Sequence, residues 1–204
     1  SGGPTAVINC SAYGVIRECQ VRLEKGEKLY ASLHGIDGLL HDHLYDCTDM
    51  DEIQLERLQN TPSMVFGSCR YTVRENSGED YDRIIATLKK YEIYYIFING
   101  GNGSVAAGYR LSEHLKKAEY ECRLIVIPKT VDNDIAIVDH APGFPSAARH
   151  TVITISELVH DMYTYDTDLI MAVEVMGRNT GYLAVTAAAA GKTGWGPDLI
   201  YVPE

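Results

Sequence analysis

The residues best suited to chemistry lie at positions 128–134, which read PKTVDND. They follow an apolar run, and their charged groups would be difficult to bury in a core. The carboxylate of Asp132 can act as a general base toward a substrate hydroxyl, an effect of roughly 10²–10⁴-fold in rate. Asp134 can orient that base or help to hold Mg²⁺, which prefers oxygen ligands, and Lys129 offers positive charge to phosphate oxygens. A solvated acidic loop with Asx turns is the alternative interpretation.

A glycine-rich loop follows another apolar run. Residues 100–104 read GGNGS and join a strand predicted over 93–98 to a helix predicted over 104–117. Glycines let the backbone approach a ligand closely, and a helix N-terminus offers N–H groups and the positive end of a dipole. This combination suits a phosphate, with a tight turn that binds nothing as the alternative. Residues 101–106 also fit the weak dinucleotide pattern G-x-G-x-x-A, whereas no P-loop signature occurs.

Arginine follows glycine in two further segments. Met176-Gly177-Arg178 lies between a strand predicted over 170–175 and a helix predicted over 180–190. Arg178 can stabilise a phosphate or a developing charge, although an arginine near a helix start more often forms a surface ion pair. Residues 67–70, which read GSCR, are uninformative by themselves.

Alternating helices and strands must position these segments. Further helices are predicted over 5–19, 51–60, 81–91 and 151–163, and further strands over 30–33, 124–127 and 199–202. The runs at 93–98 and 124–127 are continuously apolar, as parallel strands covered on both faces are. This order predicts a single α/β domain over 1–204, a Rossmann-like parallel sheet with helices on both faces. Ligands of such sheets bind at the carboxyl ends of the strands, where the polar segments lie.

Composition narrows the class of protein. Of 204 residues, 46% are hydrophobic, so a sizeable core is expected, and the formal net charge of −10 argues against nucleic acid as a partner. No apolar run approaches the roughly 18 residues of a membrane span, so no membrane partner is expected. The five dispersed cysteines predict reduced thiols in a cytoplasmic protein. His41 and His43 lie close together, but a metal site there is not favoured.

Taken in order, these segments resemble phosphofructokinases. The resemblance covers residues 1–204 and rests on SGG at 1–3, GSCR at 67–70, GGNGS at 100–104, PKTVDND at 128–134, GFPSA at 143–147 and VMGR at 175–178. PKTVDND followed by VMGR is specific, whereas NAD kinases and lipid kinases carry similar glycine loops. The resemblance implies a 6-phosphofructokinase of glycolysis, which transfers a phosphoryl group to the 1-hydroxyl of fructose 6-phosphate with Mg²⁺ and forms fructose 1,6-bisphosphate.

The resemblance also implies roles for individual residues. Asp132 is expected to be the general base, with Asp134, Arg178 and Lys129 as further catalytic residues. The expected phosphoryl-donor site consists of Gly3, Arg70, Tyr71, Gly101, Asn102, Gly103 and Ser104. The expected sugar site consists of Thr130, Val131, Asp132, Met176, Gly177 and Arg178. Asp134 and Asn102 are the expected Mg²⁺ ligands.

Two positions bear on the donor. In this family a glycine after the metal-binding position leaves room for a nucleotide, whereas an aspartate there accompanies pyrophosphate, and this chain has Gly103. Lys129 is typical of pyrophosphate enzymes but also occurs in some members that use ATP. The pairing favours ATP as the donor, with pyrophosphate as the alternative.

Some residues depart from the family pattern. Asn102 stands where most members have the Mg²⁺-binding aspartate. An amide oxygen can bind the cation without adding charge, so a catalytically impaired regulatory paralogue is a second hypothesis. Leu169 stands where bacterial ATP enzymes carry an arginine that reaches a neighbouring subunit, so that contact is not expected. A dinucleotide-binding oxidoreductase is the third hypothesis, and it gives the acidic segment no role.

The start of the sequence also carries an expectation. The chain has no initiator Met and opens on a glycine turn of the kind that usually follows a strand. We therefore expect a longer protein with a first strand before Ser1 and a second domain after Glu204, a homo-oligomer at full length. Residues 1–204 by themselves are expected to be inactive.

Overall fold

The computed structural model describes residues 2–5, 7–71, 73–74 and 77–203. The chain forms two compact units, Ser1–Lys129 and Thr130–Glu204. The helices of the N-terminal unit are α1 (Ile8–Arg22), α2 (Ile36–His41), α3 (Glu52–Asn60), α4 (Gly78–Lys90) and α5 (Asn102–Lys117). Its strands are β1 (Tyr30–Ser32), β2 (Leu44–Asp46), β3 (Tyr95–Gly100) and β4 (Arg123–Pro128).

The β3–α5–β4 unit carries the parallel pairing. Strands β3 and β4 run parallel in a register that sets Tyr95 opposite Arg123 and Gly100 opposite Pro128. Helix α5 lies close against them. A Cβ at Gly108 would be only 3.2 Å from the side chains of Leu124 and Val126, which shows how close this approach is. The register aligns the carboxyl ends of both strands, so the residues that follow them lie at one edge. The prediction of an α/β fold with a parallel sheet is confirmed.

A small antiparallel sheet accompanies this unit. Strands β1 and β2 pair with Tyr30 opposite Asp46 and Ser32 opposite Leu44, and α2 connects them. No element predicted from the sequence covers α2 or β2. Both elements are only a few residues long, which is too short for hydrophobic periodicity to reveal.

Two clusters of buried side chains hold the N-terminal unit together. The larger cluster joins Ile84 and Leu88 of α4, both 0% exposed, to Leu111 and Leu115 of α5. Helix α4 carries acidic residues in its first turn and lysines in its last turn, which suits the helix dipole. The smaller cluster contains Ile16, Cys47, Leu55 and Leu58.

Helix α3 begins where the sequence predicts it. The Asp51 side chain accepts a hydrogen bond from the Gln54 backbone N–H at 2.7 Å, and the Gln54 side chain accepts one from the Asp51 N–H at 2.9 Å. This reciprocal capping box satisfies two N–H groups that have no acceptor within the helix.

The regular elements described in the C-terminal unit are helices, joined by long irregular segments. The unit contains α6 (Phe144–Met162), α7 (Tyr182–Thr186) and a 3₁₀ helix (Ala187–Thr193). Small side chains at Ala187 and Ala190 let the 3₁₀ helix approach Ile155 of α6 closely. The single helix predicted over 180–190 is therefore two shorter helical segments.

Two strand predictions are wrong. Residues 170–175 and 199–202 adopt no regular strand. Strands form by pairing, and within the described parts of the chain the strand pairs are β1–β2 and β3–β4. The side chains of Ile170 and Leu199 are exposed, at 101% and 70%. The apolar runs are as predicted, but they lack a pairing partner in the described residues.

Four of the cysteines are free thiols, namely Cys19, Cys47, Cys69 and Cys122. Burial raises the pKa of Cys47 and of Cys122 to about 11. Both therefore stay protonated near neutral pH, and a protonated thiol is a poor nucleophile.

Among the helices in the described residues, none combines the length and hydrophobicity that crossing a membrane would require.

Candidate functional site

The glycine loop lies at the carboxyl edge of the β3–β4 pair. Gly101 is the N-cap of α5 in an extended conformation, with φ −84° and ψ −166°. Its carbonyl accepts the Ser104 N–H at 2.8 Å, which closes the first turn of the helix. Asn102 and Gly103 are exposed in that turn. Because the first N–H groups of a helix have no intrahelical acceptor, this turn is suited to an anion.

Lys129 follows β4 at the same edge. Its backbone N–H donates to the Gly100 carbonyl at 3.0 Å. Lys129 as a whole is only 4% exposed, so its side chain is buried. The ammonium donates a hydrogen bond to the backbone carbonyl of Gly3. A Cβ on Gly2 would lie 3.9 Å from the ammonium nitrogen. The structure therefore brings two predicted donor residues, Gly3 and Gly101, close to Lys129, which is predicted to be catalytic.

A second contact holds the N-terminal glycine turn. The Ser68 hydroxyl donates to the Gly2 carbonyl. Gly67, just before it, has φ +74°, and any side chain there would collide with the His34 ring. The loop at 67–70 thus joins the same group of glycines.

Arg70 and Tyr71 differ from the other predicted donor residues. Both are exposed, and the Tyr71 hydroxyl donates to the Asp80 carboxylate at the start of α4. This hydrogen bond raises the pKa of Tyr71. The contact recorded for Tyr71 is thus with α4 rather than with the glycine loop.

Gly101 and Gly103 differ in whether packing within the chain explains the choice of glycine. A Cβ on Gly101 would lie 3.3 Å from the Lys129 carbonyl oxygen, so the close approach of the two loops favours glycine there. Among the residues that the structure describes, a Cβ on Gly103 would meet nothing within 4 Å. Glycine weakens a helix relative to alanine by roughly 1 kcal/mol. Packing within the chain therefore does not explain Gly103.

In the C-terminal unit, the acidic segment folds into a tight turn. Thr130 pairs with Gly143 in a parallel bridge, and its hydroxyl accepts the Asp132 N–H at 3.1 Å. Asn133 has a left-handed backbone with φ +55°. Its side chain accepts the Ala141 N–H at 2.7 Å and donates to the Asp139 carbonyl at 3.1 Å. Asn133 thus fixes the loop that carries the carboxylates on either side of it.

The arginine turn packs on this acidic turn. The Thr180 hydroxyl donates to the Asp132 carbonyl at 2.7 Å. Gly177 has φ +120°, and a Cβ there would lie 2.5 Å from the Thr180 carbonyl oxygen. Only glycine fits this position, which explains the residue before Arg178.

Asp132 lines a cavity of about 450 Å³ in the C-terminal unit. The structure brings four predicted sugar-site residues together around it, namely Asp132, Met176, Gly177 and Arg178. Glu174, Thr180 and Tyr201 also line the cavity, and sequence reasoning did not single them out. Proximity to VMGR is a signal for Glu174 and Thr180, but no motif points to Tyr201.

The wall formed by residues 201 and 203 depends on a glycine. A Cβ on Gly181 would lie 2.6 Å from the Cβ of Val202. The segment that contains Tyr201 can therefore lie against the start of α7 only because position 181 has no side chain.

Three predicted residues lie outside the lining of this cavity. Thr130 is buried, and Val131 and Asp134 are half-buried. Thr130 instead acts on Asp132 through the hydrogen bond between its hydroxyl and the Asp132 N–H.

The predicted Mg²⁺ ligands fit the metal by their chemistry. Among the residues that the structure describes, no group of three or more His, Cys, Asp or Glu side chains is placed to hold a metal ion. Mg²⁺ is commonly bound by one or two carboxylates together with water and substrate phosphate oxygens. The Asp134 carboxylate and the Asn102 amide oxygen belong to this class of ligand.

Comparison with known proteins identifies the class. A family model described as Phosphofructokinase matches residues 1–204, and the chain belongs to this family. The resemblance inferred from the motifs is confirmed.

Three known proteins show which members of the family this chain is similar to. The pyrophosphate–fructose 6-phosphate 1-phosphotransferase of Halomonas elongata is 37% identical, over 100% of this chain and 50% of the relative. The ATP-dependent 6-phosphofructokinase of Glaesserella parasuis is 31% identical, over 100% of this chain and 57% of the relative. The crystal structure of a pyrophosphate-dependent phosphofructokinase from Marinobacter aquaeolei superposes with a TM-score of 0.82 at 36% identity, over 94% of this chain and 48% of that one. The chain thus spans about half the length of the curated relatives that it matches.

Proposed function

We propose that the protein carrying this chain transfers a phosphoryl group to the 1-hydroxyl of fructose 6-phosphate. The product is fructose 1,6-bisphosphate. The observation that carries the proposal is that Asp132, Met176 and Arg178 line one cavity, although 43 or more residues separate Asp132 from the other two in sequence. A base, a cation and an apolar surface in one cavity suit a phosphorylated sugar.

In the proposed reaction Asp132 takes the proton of the 1-hydroxyl as its oxygen attacks phosphorus. The bond from phosphorus to the leaving phosphate oxygen breaks, and the leaving group departs with the electron pair. Arg178 and Lys129 offset negative charge on phosphate oxygens, and the N-terminus of α5 binds the donor. When bound, Mg²⁺ would supply further neutralisation of phosphate charge. Asp134 in the C-terminal unit and Asn102 in the N-terminal unit are each candidates to hold it.

We propose pyrophosphate as the donor. The two relatives above that are named for pyrophosphate are 37% and 36% identical to this chain, against 31% for the relative of Glaesserella parasuis named for ATP. This comparison favours the alternative over the ATP expectation from the motifs. Lys129 is consistent with it, since a buried ammonium near the glycine loop suits a small and highly charged anion.

ATP is the second candidate because of Gly103. The open space beside its Cα is not needed for packing and leaves room at the start of α5 for a bulkier donor. Gly103 therefore supports a nucleotide as the donor, and an assay with both donors distinguishes the two candidates.

The test is turnover of the full-length protein with fructose 6-phosphate and Mg²⁺, with pyrophosphate or ATP in parallel. Formation of fructose 1,6-bisphosphate with pyrophosphate supports the proposal. Turnover with ATP alone overturns the choice of donor, and absence of product with both donors overturns the activity.

Asp132→Ser is the matched variant for the proposed base. It should lower kcat by at least roughly 10²-fold, as expected for loss of a general base. Its circular dichroism should match that of the wild type. Near-normal turnover of this variant would remove Asp132 from the role of base.

A further inference from the structure

We infer that Thr180 is a positioning residue that fixes the Asp132 backbone and thereby aims its carboxylate. The inference rests on the proposed function, in which Asp132 is the base. It assigns Thr180 an effect on the rate of the chemical step and no direct part in binding the sugar.

Both polar backbone groups of Asp132 are bonded to threonine hydroxyls. The Thr130 hydroxyl accepts the Asp132 N–H at 3.1 Å. The Thr180 hydroxyl donates to the Asp132 carbonyl at 2.7 Å. With both groups anchored, the backbone of Asp132 has little freedom to rotate, and the direction of the Cα–Cβ bond that carries its carboxylate is held.

The two hydroxyls act at different ranges. Thr130 is two residues from Asp132, so its hydrogen bond belongs to the local turn. Thr180 is 48 residues away, and it ties that turn to another segment of the chain. Without the Thr180 hydroxyl, the local turn would remain but its attachment to the second segment would be lost.

Thr180 also shapes the turn that carries Arg178. Its carbonyl oxygen occupies the space that a side chain at Gly177 would need, only 2.5 Å from the Cβ position. One residue therefore contacts both the turn of the base and the turn of the cation. Asp132, Arg178 and Thr180 all line the same cavity.

This arrangement predicts a specific kinetic effect. A misplacement of about 1 Å at a reacting group can lower the rate by about 10²-fold. Because the hydroxyl is bonded to a backbone carbonyl and not aimed at a ligand, its removal should change kcat more than the KM for fructose 6-phosphate.

The test compares Thr180→Val and Thr180→Ser in the full-length protein. Thr180→Val keeps the shape and loses the hydroxyl, and we expect kcat to fall by about tenfold or more while the KM stays within about twofold. Thr180→Ser keeps the hydroxyl and should restore most of kcat. Thr180→Ala removes the hydroxyl without adding bulk, and it replaces Thr180→Val if that variant does not fold.

Thr186→Val is the matched control. The Thr186 hydroxyl donates to the Leu183 carbonyl at 2.6 Å, so the same hydroxyl-to-carbonyl bond is lost within α7. Thermal melting of both valine variants measures the structural effect. We expect similar shifts in melting temperature, with loss of kcat confined to Thr180→Val.

Three outcomes would overturn the inference. They are wild-type kcat in Thr180→Val, a raised KM at unchanged kcat, and a Thr180→Ser variant as slow as Thr180→Val. If the wild type turns over neither donor, the proposed function fails instead. Amide hydrogen exchange at Asp132 then decides the positioning role, because Thr180→Val should accelerate it and Thr180→Ser should not.

Discussion

The ammonium of Lys129 donates a hydrogen bond to the backbone carbonyl of Gly3, a residue 126 positions earlier in the chain. This bond ties the end of β4 to the N-terminal glycine turn. A buried charge is tolerated when polar groups compensate it, so the contact explains how Lys129 can be 4% exposed. The same charge lies beside the loop that begins α5.

Lys129→Met should weaken use of the donor. The variant keeps the apolar stem but loses the charge and the bond to Gly3. A hydrogen bond to a charged group contributes about 1.5–3 kcal/mol, so kcat/KM for the donor should fall about 10- to 100-fold. Lys25→Met, at an exposed position, is the control. Unchanged kcat/KM in Lys129→Met would show that the ammonium has no part in donor binding.

Gly103→Asp should shift donor preference away from ATP. The new carboxylate enters open space at the first turn of α5, where it takes up room and adds negative charge. We expect the ratio of kcat/KM for ATP to that for pyrophosphate to fall by about tenfold, or about 1.4 kcal/mol. Gly103→Ala, which adds a methyl group without charge, separates bulk from charge. A ratio that does not move would remove position 103 from donor selection.

Asn102→Asp should lower the Mg²⁺ concentration that gives half-maximal turnover. A carboxylate binds Mg²⁺ more strongly than an amide oxygen. The added charge at the exposed start of α5 should also raise the stability by about 0.3–1 kcal/mol through the helix dipole.

Asn60→Asp, at an exposed position at the end of α3, is the control for Asn102→Asp. A large gain in kcat would support the hypothesis of an impaired regulatory paralogue. An unchanged or higher Mg²⁺ concentration for half-maximal turnover would argue against position 102 as a ligand.

Asp46→Asn should make the protein less sensitive to acid. The Thr48 side chain and then the Lys28 ammonium lower the pKa of Asp46 from 3.8 to about 2 by hydrogen bonding. Because the folded-state pKa is lowered, the stabilisation is present above pH 3.8 and is lost as the pH falls toward 2. The fall in melting temperature between about pH 6 and about pH 3 should therefore be smaller in Asp46→Asn. Asp82→Asn, an exposed carboxylate on α4, should keep the wild-type fall. Equal falls in the wild type and Asp46→Asn would contradict this assignment.

The β3–α5–β4 unit could be predicted from the sequence because each of its elements has a strong local signal. Apolar runs mark both strands, and the glycines mark the loop between β3 and α5. The strand predicted over 93–98 is observed at Tyr95–Gly100, and the helix predicted over 104–117 is observed at Asn102–Lys117. Such boundary shifts arise because the hydrogen-bonded register, and not the apolar run, defines where a strand ends.

Contacts between distant residues could not be predicted in this way. Thr180 and Asp132 are 48 residues apart, and the hydrophobic periodicity of the sequence does not indicate which distant residues form a hydrogen bond. One partner of the Lys129 ammonium is a backbone carbonyl, which every residue possesses, so sequence cannot distinguish Gly3 as an acceptor. Motifs therefore identify Asp132 and residues 175–178, whereas the remaining lining residues and the contacts that orient Asp132 are visible only in three dimensions.

The absence of a side chain at Gly181 offers a way to change the range of acceptors in the proposed reaction. A methyl group there would press on Val202 and displace the neighbouring Tyr201, which lines the cavity beside Asp132. Libraries meant to admit larger or smaller sugars should therefore randomise positions 181 and 202 together, since this remodels the pocket wall while every reacting group stays intact.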